Sequence, residues 1–327
     1  MLSTGILGEI VLSFSVCVKR KEETVSVNTQ KNEGENRKAE AQKIALYVQD
    51  IFDKENPSPD QLKEMEAAAK ELGDAGFGTI ILAFLHVHND GSFWYNNISL
   101  AKTQSFLPNI IKTMKQPKKV SKVLLSIGGW KTEDFQAIKK NPAKFKQQFL
   151  TWKNTLGIDG FDIDIENDYE ECKTTLVDLV NWGAKQGLTV TAAPYTERNY
   201  WLDILKQTSS SKKPLFAWWN LQLYGRANYA DWEKEVKKVV TDAQAFLVPG
   251  YTIEYQAAPN DILSNLKNLR KTYSGISGGF LWQYEWIKKH KKGTVKEYAT
   301  ALQNALKDQS TQGEEQKKAV QQAAKRR

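Results

Sequence analysis

Residues 158–166 read Ile-Asp-Gly-Phe-Asp-Ile-Asp-Ile-Glu, with acids at 162, 164 and 166 and apolar residues between them. Side chains alternate faces along an extended strand, so Asp162, Asp164 and Glu166 share one face and Phe161, Ile163 and Ile165 the other. The acids then climb in steps of about 6.6 Å, with Glu166 at the rim. If the apolar face packs against other elements, three carboxylates enter the interior with no Lys or Arg in the row. Ionising all three there is costly, so they must share protons and their pKa values must separate. Separated values of that kind are what acid–base chemistry near neutral pH requires. A solvated strand face is the structural alternative. A magnesium site is another, but no phosphate-binding loop accompanies it.

The elements that must hold this row repeat as strand, then helix. Strand-like runs occur at 43–49, 78–85, 121–127, 158–165, 187–194, 215–224, 246–253 and 278–284. Helical patterns follow, among them 59–72 (opened by Pro59-Asp60, closed by Gly73), 168–185, 229–245 and 295–306. Regular alternation implies an α/β fold with parallel strands and right-handed crossovers. Eight units fit a closed (β/α)8 TIM barrel better than an open sheet. Length alone, 327 residues at roughly 150 per domain, would suggest two domains, but the pattern makes a single catalytic domain of 43–307. Parallel barrel strands are buried on both faces, which removes the solvated-face alternative. The active site of such a barrel lies at the C-terminal strand ends. No Gly-rich loop follows the first strand, which argues against a nucleotide fold.

Composition narrows the classes further. With 41% hydrophobic and 26% charged residues the chain is ordinary globular material. No run approaches the roughly 18–20 apolar residues of a membrane span, so no integral membrane span is expected. Cys17 and Cys172 cannot build a disulfide framework, and Cys172 reads as a buried free thiol. The histidines are His86, His88 and His290; His86 and His88 share a strand face as a metal pair might, but no third ligand accompanies them. No metal or cofactor is called for. The net charge of +8 is scattered over helical patterns such as Lys112, Lys115, Lys118 and Lys119, a solvated surface rather than a nucleic-acid patch. Residues 1–42 read as a leader and polar linker. Its apolar run from Ile10 to Val18 has no Lys or Arg before it and Glu9 beside it, atypical for a secretory signal. Residues 308–327 read as a charged tail. The odd number is ten tryptophans, which implies a heavy core or an aromatic binding surface.

The run Asp159-Gly160-Phe161-Asp162-Ile163-Asp164-Ile165-Glu166 resembles the DGxDxDxE signature of glycoside hydrolase family 18, the chitinases and endo-β-N-acetylglucosaminidases. Ser126-Ile127-Gly128-Gly129 resembles the family's SxGG motif. Gln222-Leu223-Tyr224, Ala192-Ala193-Pro194 and Trp282 fall where its plant-type members carry QxY, the end of strand five and a barrel-floor Trp. The resemblance covers about 43–307 and is nearest the short, insertion-free branch.

The resemblance implies retention without an enzyme nucleophile, the substrate's N-acetyl oxygen attacking the anomeric carbon. Glu166 would be acid and then base, and Asp164 would orient the N-acetyl group. Asp162 would share a proton with Asp164, and Tyr224 would hydrogen-bond the N-acetyl carbonyl. The residues alone leave open a conventional pair with Asp164 as nucleophile. Trp282, Gln222, Gly129, Tyr195 and Ala192 are the expected substrate contacts, with Ser126, Gly128 and Gly129 shaping the floor and Asp159 structural. Trp130, Trp219 and Tyr284 are weaker candidates for subsite walls, and Phe93-Trp94-Tyr95 for a sugar platform. Trp218 and Trp219 must face opposite ways, while Trp152, Trp182 and Trp232 read as helix packing.

The leading expectation is an endo-acting chitinase with an open cleft, binding chitin or N-acetylglucosamine-containing oligosaccharides. No appended carbohydrate-binding module is read, so attack on crystalline chitin should be inefficient. The alternatives are an endo-β-N-acetylglucosaminidase on N-glycans and a non-catalytic chitin-binding lectin. No nucleic-acid partner is expected, the chain is expected to be a monomer, and its substrate class points to an extracellular location.

Overall fold

The computed structural model describes residues 43–117, 119–224 and 227–307. The expected leader and linker, Cys17, Lys118 and the tail lie outside the described residues.

Eight parallel strands form the centre: β1 Lys43–Val48, β2 Thr79–Val87, β3 Lys122–Gly129, β4 Gly160–Ile165, β5 Thr189–Ala192, β6 Trp218–Gln222, β7 Leu247–Thr252 and β8 Gly278–Trp282. Each pairs with the next, and β1 pairs with both β8 and β2, which closes the barrel. All eight expected strands are present in order. The helices on the outside are α1 Pro59–Ala75, α2 Leu107–Lys115, α3 Asp134–Lys140, α4 Pro142–Leu156, α5 Tyr169–Lys185, α6 Arg198–Gln207, α7 Tyr229–Val236, α8 Pro259–Thr272, α9 Tyr284–His290 and α10 Val295–Leu306. No helix among the described residues is long and apolar enough to cross a membrane.

Local chemistry explains most boundaries. Ser58 and Gln61 form a capping box at the start of α1, with Pro59 in its first turn. The helix does not stop at Gly73 as its sequence suggests but at Gly76, whose φ of 104° is left-handed. Gly73 serves packing: a Cβ there would lie 2.7 Å from the Met114 carbonyl oxygen. The expected helix over 229–245 is broken after Val236, and a single turn resumes at Ala243–Phe246. The β-branched run Val239-Val240-Thr241 disfavours continuation, and Val240 is buried where it leaves the helical path.

Two apolar layers result. The outer one lies between strands and helices and contains Phe161, Ile163 and Ile165 of β4. The inner one fills the barrel with a small set that includes Tyr47, Ile81, Leu124, Trp218, Val248 and Phe280. The loop expected after β2 contains a short strand, Phe93–Tyr95, that turns back antiparallel on β2 with Trp94 opposite His86.

Candidate active site

Register decides which side chains meet inside the barrel. Ser126, Asp162 and Thr191 are neighbours across β3, β4 and β5, so all three enter at one level. Asp162 is fully buried and takes four donors. Tyr47 Oη (2.9 Å) and Ser126 Oγ (2.8 Å) donate to one oxygen. Thr191 Oγ1 (2.6 Å) and Asn220 Nδ2 (3.3 Å) donate to the other. Burial raises its pKa, and these donations oppose the rise.

One level higher Gly128 pairs with Asp164. Gly128 has φ of 111°, and a Cβ there would lie 2.2 Å from the Asp164 carbonyl oxygen, so only glycine lets β3 pass this close. Asp164 is buried. Desolvation first, then the charges of Glu166 and Asp162, hold its carboxyl well above the usual range, and it donates a hydrogen bond to Glu166. Glu166 is half-buried at the rim; burial raises its pKa, while hydrogen bonds from Gln222 and Asp164 pull the other way. Gln222 Nε2 reaches Asp164 Oδ1 at 3.2 Å, Glu166 Oε1 at 3.4 Å and the Ala193 carbonyl at 2.9 Å. Both oxygens of Asp162 thus accept from four donors outside the row, while Asp164 is in hydrogen-bond contact with Glu166. Burial and the nearby carboxylates keep the Tyr47 and Tyr224 phenols well above their ordinary pKa, hence neutral.

Above the pair opens a cleft of about 590 Å3, walled in part by Phe84, Trp130, Tyr195, Tyr224 and Trp282, with Gly129 and Gln222 also at its surface. The Trp282 ring lies 5.5 Å from Tyr47 and 5.8 Å from Phe84. Trp130 is 71% exposed at the mouth, with Lys131 Nζ over its ring at 4.3 Å from the centroid.

Four expected contacts lie elsewhere. Ala192 pairs with Ile163, the outward row of β4, and packs in the outer layer; its neighbour Ala193 faces inward. Trp219 is the outward member of its pair, fully buried among Trp201, Phe216, Trp232 and Phe246. Tyr284 is buried with its hydroxyl on Glu71 at 2.9 Å. Phe93-Trp94-Tyr95 makes no open platform: Phe93 and Tyr95 are core residues, and the Trp94 ring stacks on His88 at 4.9 Å. The histidine pair is separated in the same way, since His86 Nδ1 is 2.9 Å from Asp134 Oδ2.

The remaining assignments have clear surroundings. Trp218 fills the barrel and donates from Nε1 to Asn220 Oδ1 at 2.9 Å. Trp152 and Trp232 are buried, and Trp182 packs on Phe145, Phe149 and Phe161. Asp159 accepts from Lys115 Nζ (2.8 Å) and the Val123 amide (2.7 Å), a structural tie at the strand's foot. Cys172 is a buried free thiol whose pKa burial pushes up to about 11. Sequence reasoning missed Tyr47, Thr191, Asn220 and Phe84, and also Asn96, which lines the cleft and accepts the Phe84 amide at 3.0 Å. For two of them the signal was parity: Ala45 and Tyr47 share a face of β1, and Asn220 stands two residues before Gln222.

Comparison with known proteins adds a family. The model of "Glycosyl hydrolases family 18" matches residues 43–324. Among curated proteins no sequence matches the chain. Solved structures with the same fold include a family 18 chitinase from Pseudoalteromonas aurantia (TM-score 0.59, 16% identity, covering 80% of this chain and 100% of that one). The catalytic domain of a family 18 chitinase from the fern Peteris ryukyuensis gives 0.56 at 17% identity, over 81% and 99%. A group IV chitinase from Ostrinia furnacalis gives 0.55 at 11% identity, over 80% and 99%.

Proposed function

The chain belongs to glycosyl hydrolase family 18 and is a glycoside hydrolase, and from that premise we propose that it cleaves β-1,4-linked N-acetylglucosamine polymers internally, with retention and substrate assistance. The observation that carries this reading is the Asp162, Asp164 and Glu166 row beneath an aromatic-walled cleft, with Gln222 Nε2 at 3.2 Å from Asp164 and 3.4 Å from Glu166.

The resting pair has Asp164 protonated and Glu166 ionised. When the N-acetyl N–H of a bound sugar meets Asp164, the shared proton passes to Glu166. Asp164 is then an anion that accepts the N–H and turns the acetyl oxygen toward the anomeric carbon. Glu166 donates the proton to the glycosidic oxygen as that bond breaks, and the acetyl oxygen closes the oxazolinium ring from the face opposite the departing oxygen. Glu166 then takes a proton from water, which opens the ring with net retention. Asp162, held by its four donors, stabilises the positive charge that develops above it. Tyr224, kept neutral, offers its hydroxyl to the acetyl carbonyl. Trp282 forms the floor on which the sugar's C–H face packs, and Trp130 a wall at the mouth.

Internal cleavage is favoured by an open cleft: the connection from β7 to α8 spans only 253–258. The test is product analysis on N-acetylglucosamine oligomers beside a high-mannose glycoprotein. Shorter β-anomeric oligomers are expected from the first and nothing from the second. Release of glycan from the glycoprotein alone overturns the substrate assignment, and an α-anomeric first product overturns retention. A thiazoline analogue of N-acetylglucosamine, which mimics the oxazolinium ion, should inhibit; absence of inhibition counts against substrate assistance.

A further inference from the structure

The pairing of β1 with β2 ends at Val48, opposite Leu82, and side chains from two distant segments serve the backbone that follows. Glu285, in the first turn of α9, accepts the Gln49 amide at 3.0 Å and the Asp50 amide at 2.9 Å on one oxygen, Oε1. Tyr95 Oη donates to the Val48 carbonyl at 3.0 Å, and Asn96 Nδ2 to the Gln49 carbonyl at 2.7 Å. The second oxygen of Glu285 is buried with no partner among the described residues, and burial raises the pKa of the group. Withdrawing a carboxylate from water is costly, and the two backbone donors offset that cost. An aliphatic side chain would fill the space without it, so packing alone does not account for an acid here.

The hold passes from β1 into the cleft. Asn96 stands at φ of 50°, the left-handed turn conformation that asparagine tolerates. It grips Phe84 twice: its backbone amide donates to the Phe84 carbonyl at 2.9 Å, and its Oδ1 accepts the Phe84 amide at 3.0 Å. The Phe84 ring lies 5.8 Å from Trp282 and against Gly129, where a Cβ would come within 3.2 Å of it. Gln49, Phe84, Asn96 and Trp282 all line the cleft. Glu285 follows Trp282 on the same segment, so the floor of the cleft and its tie to β1 leave the barrel together. Asp164 and Glu166 extend from β4, which β2 and β3 separate from β1, and none of these bonds ends on them.

We propose that Glu285 is a positioning residue for the cleft: by holding the exit of β1 it fixes Gln49 and, through Asn96, the Phe84 ring beside Trp282. The proposal rests on the reading of the cleft as the site for N-acetylglucosamine polymers. Its test is steady-state hydrolysis of N-acetylglucosamine oligomers by the unaltered protein and by Glu285→Ala, Glu285→Gln and Tyr95→Phe. Amide hydrogen exchange at Gln49 and Asp50 is read on each by NMR. Glu285→Ala should raise KM about tenfold, roughly the loss of one hydrogen bond to a charged group. Its kcat should stay within about twofold, because floor and wall are loosened while the pair on β4 is not. Glu285→Gln keeps an oxygen acceptor in place and should bring KM back to within about threefold. Tyr95→Phe, which removes the donor to Val48, should raise KM by about two- to fivefold. Faster exchange at Gln49 and Asp50 should accompany the rise in KM of Glu285→Ala. A lower melting temperature with unchanged KM makes Glu285 purely structural and overturns the proposal, as does a Glu285→Gln protein as impaired as Glu285→Ala. Unchanged exchange at both amides in Glu285→Ala overturns the positioning alone. An unaltered protein that leaves every oligomer intact overturns the reading of the cleft and the proposal with it.

Discussion

Asp162 and Ile163 are consecutive residues on β4, both without exposure to water, yet they lie in different media. Ile163 enters the outer layer, where its neighbours are aliphatic and aromatic side chains. Asp162 enters the barrel, where four side-chain donors replace water. Trp218 and Trp219 repeat the contrast on β6. The inward indole finds Asn220 as an acceptor, whereas the outward one is buried among rings with no partner for its N–H among the described residues. The difference teaches that the barrel wall divides labour: its outer face is packed for stability, and its inner face carries polar groups whose protonation the chemistry uses.

The largest test of that division is Glu166→Gln, which should lower turnover by about 10²- to 10⁴-fold with an unchanged melting temperature; normal hydrolysis would falsify the inner-face assignment. Trp219→Ala is its counterpart on the outside. It should cost about 3–5 kcal/mol in urea unfolding while the folded fraction keeps its activity, and a parallel loss of kcat would blur the boundary. Tyr47→Phe probes both sides at once by removing a donor from a buried charged group. About 1.5–3 kcal/mol of stability should go together with part of kcat, because Asp162 then competes for the pair's proton. The smallest effect is in pH dependence. Asp164 has a folded pKa above its unfolded value, so the native state holds a proton that the unfolded chain releases. Stability from this group is therefore full below the ordinary carboxylate pKa and lost as pH rises toward the raised one. Asp164→Asn should flatten that decline in urea midpoints measured from pH 4 to 8; an unchanged slope would place the proton elsewhere.

Much of the barrel was legible because periodicity survives in one dimension. The eight strand runs, the Pro59 start of α1, the span of α10 and the acid row of β4 all follow from residue spacing. The misplacements share another cause. Alternation says that Trp218 and Trp219 oppose each other, or Ala192 and Ala193, but not which member faces in. That absolute parity comes from the neighbour's register: Ala192 lies opposite Ile163, and so must point outward with it. Tyr284 and Phe93-Trp94-Tyr95 failed for a related reason. A position after a strand end says nothing about whether the chain then turns over the mouth or back onto the wall, and Phe93–Tyr95 turns back onto β2.

The amino-acid order by itself determined the strand count, the face shared by Asp162, Asp164 and Glu166, and the class of chemistry such a row can perform, because these depend only on neighbours two to four residues apart. Tertiary structure decided the rest. It brought Tyr47, Ser126, Thr191 and Asn220 from four other strands onto Asp162, placed Gln222 between Asp164 and Glu166, and set His86 against Asp134. Each of these rests on contacts across the closed sheet or between its loops, fixed only when all eight strands are in register.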